Sequence, residues 1–202
     1  MKISNKKGVS ISLESHFTKR EKNAQIRVIC GPMFSGKTKT LIRVVNDYKR
    51  ANKKVLVVKP KIDKRYANNH VVSHDKDRIQ AIEITEPKKI LDFILSVDVI
   101  AIDEVQFFDA SIVRVCQLIA EKGKTCVVSG LDLDYKAQPF GEMPRILAIA
   151  DEIIKLNSVC TFCSGPARFT HRISSELETV VLGEKDKYTP LCRSCYQELA
   201  VD

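Results

Sequence analysis

Residues 31–38 read Gly-Pro-Met-Phe-Ser-Gly-Lys-Thr, directly after the apolar run Gln25–Cys30 (QIRVIC). The octapeptide fits G-x-x-x-x-G-K-[ST], a loop whose backbone cradles phosphate oxygens. Gly31 and Gly36 let the chain fold into a concave nest of N–H donors. The run before the loop reads as a buried strand. After it, Leu41, Ile42, Val45 and Tyr48 fall on one face of a helix predicted over 38–51. The start of that helix adds partial positive charge. Lys37 can reach the outer phosphates, and the Thr38 hydroxyl can ligate magnesium. About one chain in a hundred of this length would match the pattern by chance. The strand–loop–helix context lowers that further.

Outward from the loop, strands and helices alternate. Lys54–Lys59 reads as a buried strand stopped by Pro60, residues 61–78 as a long polar loop and Gln80–Ile84 as a short strand. Pro87–Ser96 reads as a helix with Thr85 as its N-cap. Val97–Asp103 is an apolar strand ending in carboxylates. Asp109 can cap a helix through Ile119, with Gly123 as its stop. Lys124–Ser129 is a strand, 130–141 a loop, Pro144–Ala150 a helix and Glu152–Leu156 a last strand. This alternation predicts an α/β fold of the P-loop NTPase type, a parallel sheet with helices on both faces. From Asn157 onward the texture changes to Cys, Gly, Pro and short β-like runs. The expected division is a basic, flexible arm over 1–24, an α/β body over 25–157 and a small metal-binding unit over 158–202.

A phosphate loop needs an acidic residue at the end of a neighbouring strand. Asp103 and Glu104 supply two. Asp103 would sit near the magnesium, and Glu104 would take a proton from a hydroxyl or activate water. Buried strands rarely end in two acids without use.

Four of the seven cysteines form two C-x-x-C pairs, Cys160/Cys163 and Cys192/Cys195, separated by 28 residues. Each pair can grip a tetrahedral metal from a tight turn, and two pairs complete a Cys₄ zinc site. Such a site leaves no open position, so the zinc would be structural. A redox C-x-x-C usually opens a helix in a thioredoxin-like unit, which neither pair does. An odd cysteine count with this spacing argues for metal in a reducing compartment and against a secreted disulfide framework.

The formal net charge is +8, and half of it lies in residues 1–25, where six basic residues face two acidic ones. The body is only mildly basic, which disfavours a nucleic-acid groove. No run of ~18 apolar residues is present for a spanning helix. Nor does an apolar stretch follow Lys2, so no secretory signal is expected.

Taken together, these motifs resemble the zinc-containing, type II thymidine kinases. The residues that carry the likeness are Gly31–Thr38, Asp63-Lys64-Arg65-Tyr66, Ser73-His74-Asp75, Asp103-Glu104-Val105-Gln106-Phe107-Phe108, Gly130–Tyr135 (GLDLDY) and Pro139-Phe140-Gly141. The cysteine pairs, with Lys187-Tyr188 between them, fit as well. The likeness runs from about Gln25 to Tyr196. It implies a cytoplasmic salvage enzyme, usually a homotetramer. Such an enzyme moves the γ-phosphoryl of ATP to the 5′-hydroxyl of thymidine, with Mg²⁺ and one structural Zn²⁺ per subunit, and uses neither membrane nor nucleic acid.

By the same likeness Glu104 is the catalytic base, while Lys37 and Arg65 spread the charge on the transferred group. Gly31, Pro32, Met33, Phe34, Ser35, Gly36, Lys37, Thr38, Asp63, Lys64, Arg65, Asp103, Glu104, Val105 and Gln106 would line the ATP and magnesium side. Met33, Phe107 and Leu131 would wall the base pocket, and Tyr135 would stack near thymine. The excursion between the cysteine pairs resembles a "lasso" that closes over the nucleoside. In it Thr170 would face the thymine methyl. Thr179, Val180, Val181, Leu182 and Gly183 would bond the nucleoside through their backbone, and Tyr188 would also face it. Cys160, Cys163, Cys192 and Cys195 would hold the zinc. Two departures stand out. The arm over 1–24 has no place in the family pattern, and Tyr135 stands where Phe is common.

Two other classes fit parts of the pattern. A zinc-ribbon ATPase on nucleic acid would use Glu104 to activate water and the positive charge to hold phosphates. A nucleotide-binding regulatory module would have lost catalysis, yet Lys37, Thr38, Asp103 and Glu104 are all intact.

Overall fold

The computed structural model describes residues 3–4, 10–11, 25–61, 70–72, 78–173 and 187–199 of the chain. In the arm, β1 (Ile3–Ser4) pairs antiparallel with β2 (Ser10–Ile11). The body begins at β3 (Gln25–Cys30), followed by α1 (Lys37–Arg50) and β4 (Val55–Pro60). Next come β5 (His70–Val72), β6 (Arg78–Gln80) and β7 (Ile82–Ile84). A 3-10 helix over Pro87–Phe93 leads to β8 (Val99–Ile102) and a short 3-10 turn, Val105–Phe107. Then α2 (Ser111–Glu121), β9 (Thr125–Gly130), α3 (Met143–Ala148) and β10 (Glu152–Lys155) complete the body.

Six strands form one sheet in the order β10-β3-β9-β8-β4-β7, every pair parallel. Alternate residues of each strand feed opposite faces. Val28, Ile100, Ile102 and Val128 join one core with Ile112, Cys116 and Ile119 of α2 and Ile146 of α3. Ile29, Val99, Ala101 and Val127 join the other with Leu41, Ile42 and Val45 of α1. Helices therefore cover both faces, as near-continuous apolar strands require.

Three local expectations change. The strand expected over Gln80–Ile84 is two strands in different sheets: β6 pairs antiparallel with β5, and β7 runs beside β4. Part of the loop expected over 61–78 is thus a hairpin strand, and Val71, Ile79 and Ala81 pack on the α1 side of the sheet. The helix expected at Pro87 is a 3-10 helix preceded by Glu86, with no side-chain cap. Its buried residues, Pro87 and Ile90, lie three apart, the period that a 3-10 helix eclipses. The third change is strand order. β8 is not adjacent to β3, because β9 lies between them.

The C-terminal part is built from short pieces. β11 (Ser158–Val159) pairs with β12 (Pro166–Ala167), and β13 (Phe169–Arg172) pairs with β14 (Tyr188–Leu191) ahead of α4 (Arg193–Leu199). Against expectation, the pair Cys192/Cys195 therefore does open a helix, a short one that follows a strand of an antiparallel pair. Its small core joins Cys160, Ala167 and Leu191 to Cys192, Cys195, Tyr196 and Leu199. So few apolar residues bury little surface, and such units need a metal or another staple.

Candidate active site

The phosphate loop leaves β3 at its C-terminal end, the edge where parallel sheets of this kind bind ligands. Gly31 has φ +145, and a Cβ there would stand 2.4 Å from the Leu156 carbonyl oxygen. Only glycine passes this close approach to the residue after β10. Phe34 (φ 64) and Gly36 (φ 81) are also left-handed, which turns successive N–H groups inward. The first turn of α1 holds no acid, so its dipole is unopposed toward an anion. Lys37 is buried and donates through Nζ to the Pro32 carbonyl at 2.8 Å. Beneath the loop, burial and then the Asp132 carboxylate push the Cys30 thiol up to about 11. That sulfur stays protonated and is no nucleophile.

The acidic pair meets this loop in spite of the intervening strand. Asp103 follows β8 and is buried, and the Thr38 hydroxyl lies 3.4 Å from its Oδ2. A hydroxyl and a carboxylate side by side are oxygen donors of the kind a divalent cation takes. Glu104 comes next, with φ 51 and ψ 41. A left-handed non-glycine residue costs on the order of 1–3 kcal/mol and clusters at functional sites. The Gln106 amide donates through Nε2 to Glu104 Oε2 at 2.6 Å.

The opposite wall comes from residues 131–141. Asp134 Oδ1 accepts from the N–H groups of Lys136 and Gln138, both at 2.9 Å, and this turn presents Tyr135. Asp132 holds the same loop to β10 through Lys155, 2.8 Å away. Phe107 meets Phe140 edge-on with centroids 5.7 Å apart.

The C-terminal part closes over both walls. The Met33 N–H, inside the phosphate loop, donates to Thr170 Oγ1 at 3.0 Å. The Ser158 hydroxyl donates to the Phe34 carbonyl at 3.2 Å. The Tyr196 hydroxyl donates to the Tyr135 carbonyl at 2.9 Å. Buried Arg172 lays its guanidinium 3.6 Å from the centre of the Tyr135 ring and donates to the Tyr188 hydroxyl at 2.9 Å. Tyr135 is therefore held twice, by ring and by backbone. Beside this contact, Phe169 stacks on Tyr196 with centroids 4.9 Å apart.

The four cysteine sulfurs lie within 4.8 Å of one another, and Cys163 and Cys192 are 3.6 Å apart. Zn–S bonds of about 2.3 Å in a tetrahedron put sulfurs about 3.8 Å apart, so the quartet fits the ion. The Cys195 N–H points at the Cys192 sulfur at 3.5 Å, the kind of donor that supports a thiolate.

Of the candidate site residues, Gly31–Thr38, Asp103 and Glu104 gather at one sheet edge. Met33 joins Thr170, and Tyr135 joins Tyr188 through Arg172. Two further residues expected on the ATP side, Val105 and Gln106, have buried side chains. The Val105 side chain is fully buried in the core. Gln106 is buried between Glu104 and the Leu131 N–H, which donates to its Oε1 at 3.1 Å. Asp63, Lys64, Arg65, Ser73, His74, Asp75 and the stretch Thr179–Gly183 lie outside the described residues. Sequence reasoning missed Arg172, Ser158 and Tyr196. None sits in a motif, and each makes a contact across the junction of body and cysteine unit.

A model of the thymidine kinase family matches residues 24–196. The chain belongs to the thymidine kinase family. The kinase is 45% identical over 184 residues to the thymidine kinase of Bacteroides fragilis (strain YCH46), covering 91% of this chain and 92% of that one. It is 44% identical over 172 residues to the thymidine kinase of Rhodothermus sp. (strain ITI 518), covering 85% and 81%. Among solved structures, the flagellar accessory protein FlaH from Methanocaldococcus jannaschii aligns with TM-score 0.49 and 14% identity, over 71% of this chain and 75% of that one. The kinase is thus a phosphotransferase on a nucleoside, with ATP and a divalent metal as the family's co-substrate and cofactor. No helix among its described residues is long and apolar enough to cross a membrane.

Proposed function

We propose that this kinase transfers the γ-phosphoryl of ATP to the 5′-hydroxyl of thymidine, with Glu104 as the base. The observation that carries the reading is the adjacency of two functions on one strand end. Asp103 meets the phosphate loop through Thr38, and the next residue, Glu104, faces the wall built around Gln106 and Leu131. Donor and acceptor sites therefore share one edge. A magnesium ion held by Thr38, with Asp103 behind it, would neutralise charge on the bound phosphates. Lys37 reaches the outer phosphates, and Arg65 serves the transferred group. Glu104 orients the hydroxyl and accepts its proton. Such transfer depends on positioning and charge neutralisation more than on covalent chemistry. The cysteine unit covers the acceptor and keeps out competing water.

The same reading includes one Zn²⁺ on Cys160, Cys163, Cys192 and Cys195 in each subunit, a homotetramer, a cytoplasmic location and no use of nucleic acid. It divides the chain into an arm (1–24), a body (25–157) and a lasso (158–202). It keeps Asp63–Arg65 on the ATP side and Thr179–Gly183 on the nucleoside.

Assay of a nucleoside panel with labelled ATP tests the reading. The thymine methyl sits against Met33, Leu131 or Thr170, and one methyl gives about 1–3 kcal/mol of discrimination. Deoxyuridine is therefore a poorer but real substrate, and purine nucleosides fail for size. Efficient phosphorylation of deoxyguanosine would overturn the pocket.

Arg172 gives a second expected result. A desolvated cation–π contact contributes about 2 kcal/mol. Arg172→Met removes that contact from Tyr135 and the bond to Tyr188. The KM for thymidine should rise on the order of 30-fold, since 1.4 kcal/mol is tenfold. The KM for ATP should move far less. Steady-state kinetics in both substrates checks this, and an equal rise in both KM values would mean that Arg172 serves the fold and not the pocket.

A further inference from the structure

Gln106 is buried with both ends of its amide engaged. Its Oε1 accepts the Leu131 N–H at 3.1 Å, and its Nε2 donates to Glu104 Oε2 at 2.6 Å. The first bond settles the second. A backbone N–H needs an acceptor, so the carbonyl end must face Leu131 and the NH₂ end must face the carboxylate. The amide has little room to leave. Gly130 lies against it, and a Cβ there would stand 2.5 Å from Gln106 Oε1. Meanwhile Glu104 is held in a left-handed conformation that a side chain rarely adopts.

From this geometry we infer that Gln106 is a positioning residue for the phosphoryl-transfer step, locking the Glu104 carboxylate against the backbone of the nucleoside wall at Leu131. The inference rests on the reading of Glu104 as the base. It gives Gln106 a role in acceptor activation. The chain of contacts is short: Leu131 backbone, Gln106 amide, Glu104 carboxylate. It ties the base to the loop that continues to Tyr135. A displacement of that loop therefore moves the base with it.

Two variants of similar size separate this role from a merely structural one. Gln106→Met removes both hydrogen bonds. Gln106→Glu keeps an acceptor for the Leu131 N–H but sets a second carboxylate against Glu104. If the residue served only the fold, the Glu variant would be the milder. If it positions the base, the Glu variant is the more severe, because two adjoining carboxylates share a proton and the base is blocked. The expected loss in kcat is about 10–100-fold for Gln106→Met, in line with a small misplacement of a reacting group. The loss is larger for Gln106→Glu. The KM values for ATP and thymidine should stay within about threefold, a span of under 1 kcal/mol.

Higher kcat in the Glu variant than in the Met variant would overturn the inference. So would wild-type kcat in either, or a loss carried by KM. If Gln106→Met does not fold, Gln106→Glu decides alone: lowered kcat with both KM values kept supports the role, and any other result overturns it. Glu104→Gln, measured alongside, tells the two readings apart. Full turnover in that variant removes the base itself, whereas a lost kcat there with unaffected Gln106 variants removes only the positioning role.

Discussion

Glu104→Gln should bind ATP and thymidine normally and turn over about 10²–10⁴-fold more slowly, the usual contribution of a general base. The substitution keeps the side chain's shape. The new amide oxygen can still accept from Gln106 Nε2, which donates to Glu104 Oε2 in the wild type. The left-handed backbone at this position is also kept. Only proton acceptance is lost, so the deficit should fall on kcat and not on either binding constant. Single-turnover kinetics with both substrates saturating measures it. Wild-type turnover would exclude Glu104 as the base and leave the strained conformation at the end of β8 without a catalytic purpose.

Removing the metal site should have the second large effect. Metal analysis should find one zinc per subunit in the wild type and none in Cys192→Ser. Structural zinc contributes an apparent ~10–16 kcal/mol in small fingers. The small core around Cys160, Ala167 and Leu191 cannot replace that. With the unit loosened, Tyr135 loses its hold from Arg172 and Tyr196, and Met33 loses Thr170. Several bonds of about 1 kcal/mol each go at once, so thymidine affinity should fall on the order of 100-fold or more.

The chain distance between the cysteines and the phosphate loop implies that thymidine affinity is lost well before ATP affinity. The contacts keep that ranking and narrow the gap. Thr170 and Ser158 bond the loop backbone directly at Met33 and Phe34. Two such bonds amount to about 2 kcal/mol, so ATP affinity should also fall, by roughly 10–30-fold. Calorimetric titration of both ligands checks the ranking. Unchanged thymidine affinity in zinc-free protein would separate the cysteine unit from the nucleoside site. Equal losses, with a collapsed thermal transition, would show that the metal holds the whole fold.

The phosphate loop was legible in the chain because its chemistry is local. Eight consecutive residues make the nest, and their neighbours announce strand and helix by period alone. The cysteine pairs were legible for a similar reason, since a metal needs its ligands on tight turns with fixed spacing. Element type was also mostly legible, because strands buried on both faces read as unbroken apolar runs such as VIAI in β8. Where the reading slipped, the competing term was packing. The segment Gln80–Ile84 carries one apolar pattern, yet it divides at buried Ala81 because β6 finds a partner in β5 and β7 finds one in β4.

By itself, then, the sequence determined the α/β class, the loop that takes phosphates, the acidic pair and the quartet that suits zinc. Each follows from bonding rules that act within a few residues or within one period. Only the tertiary structure decided which groups face one another. It placed β9 between the phosphate-loop strand and the acidic strand, and still brought Thr38 to Asp103. It turned Gln106 toward Glu104, and it set Arg172 on Tyr135 across the junction of two units. A buried amide or guanidinium takes whatever partner the packed core leaves in reach. That partner is chosen by strand order and burial, which no short stretch of chain encodes.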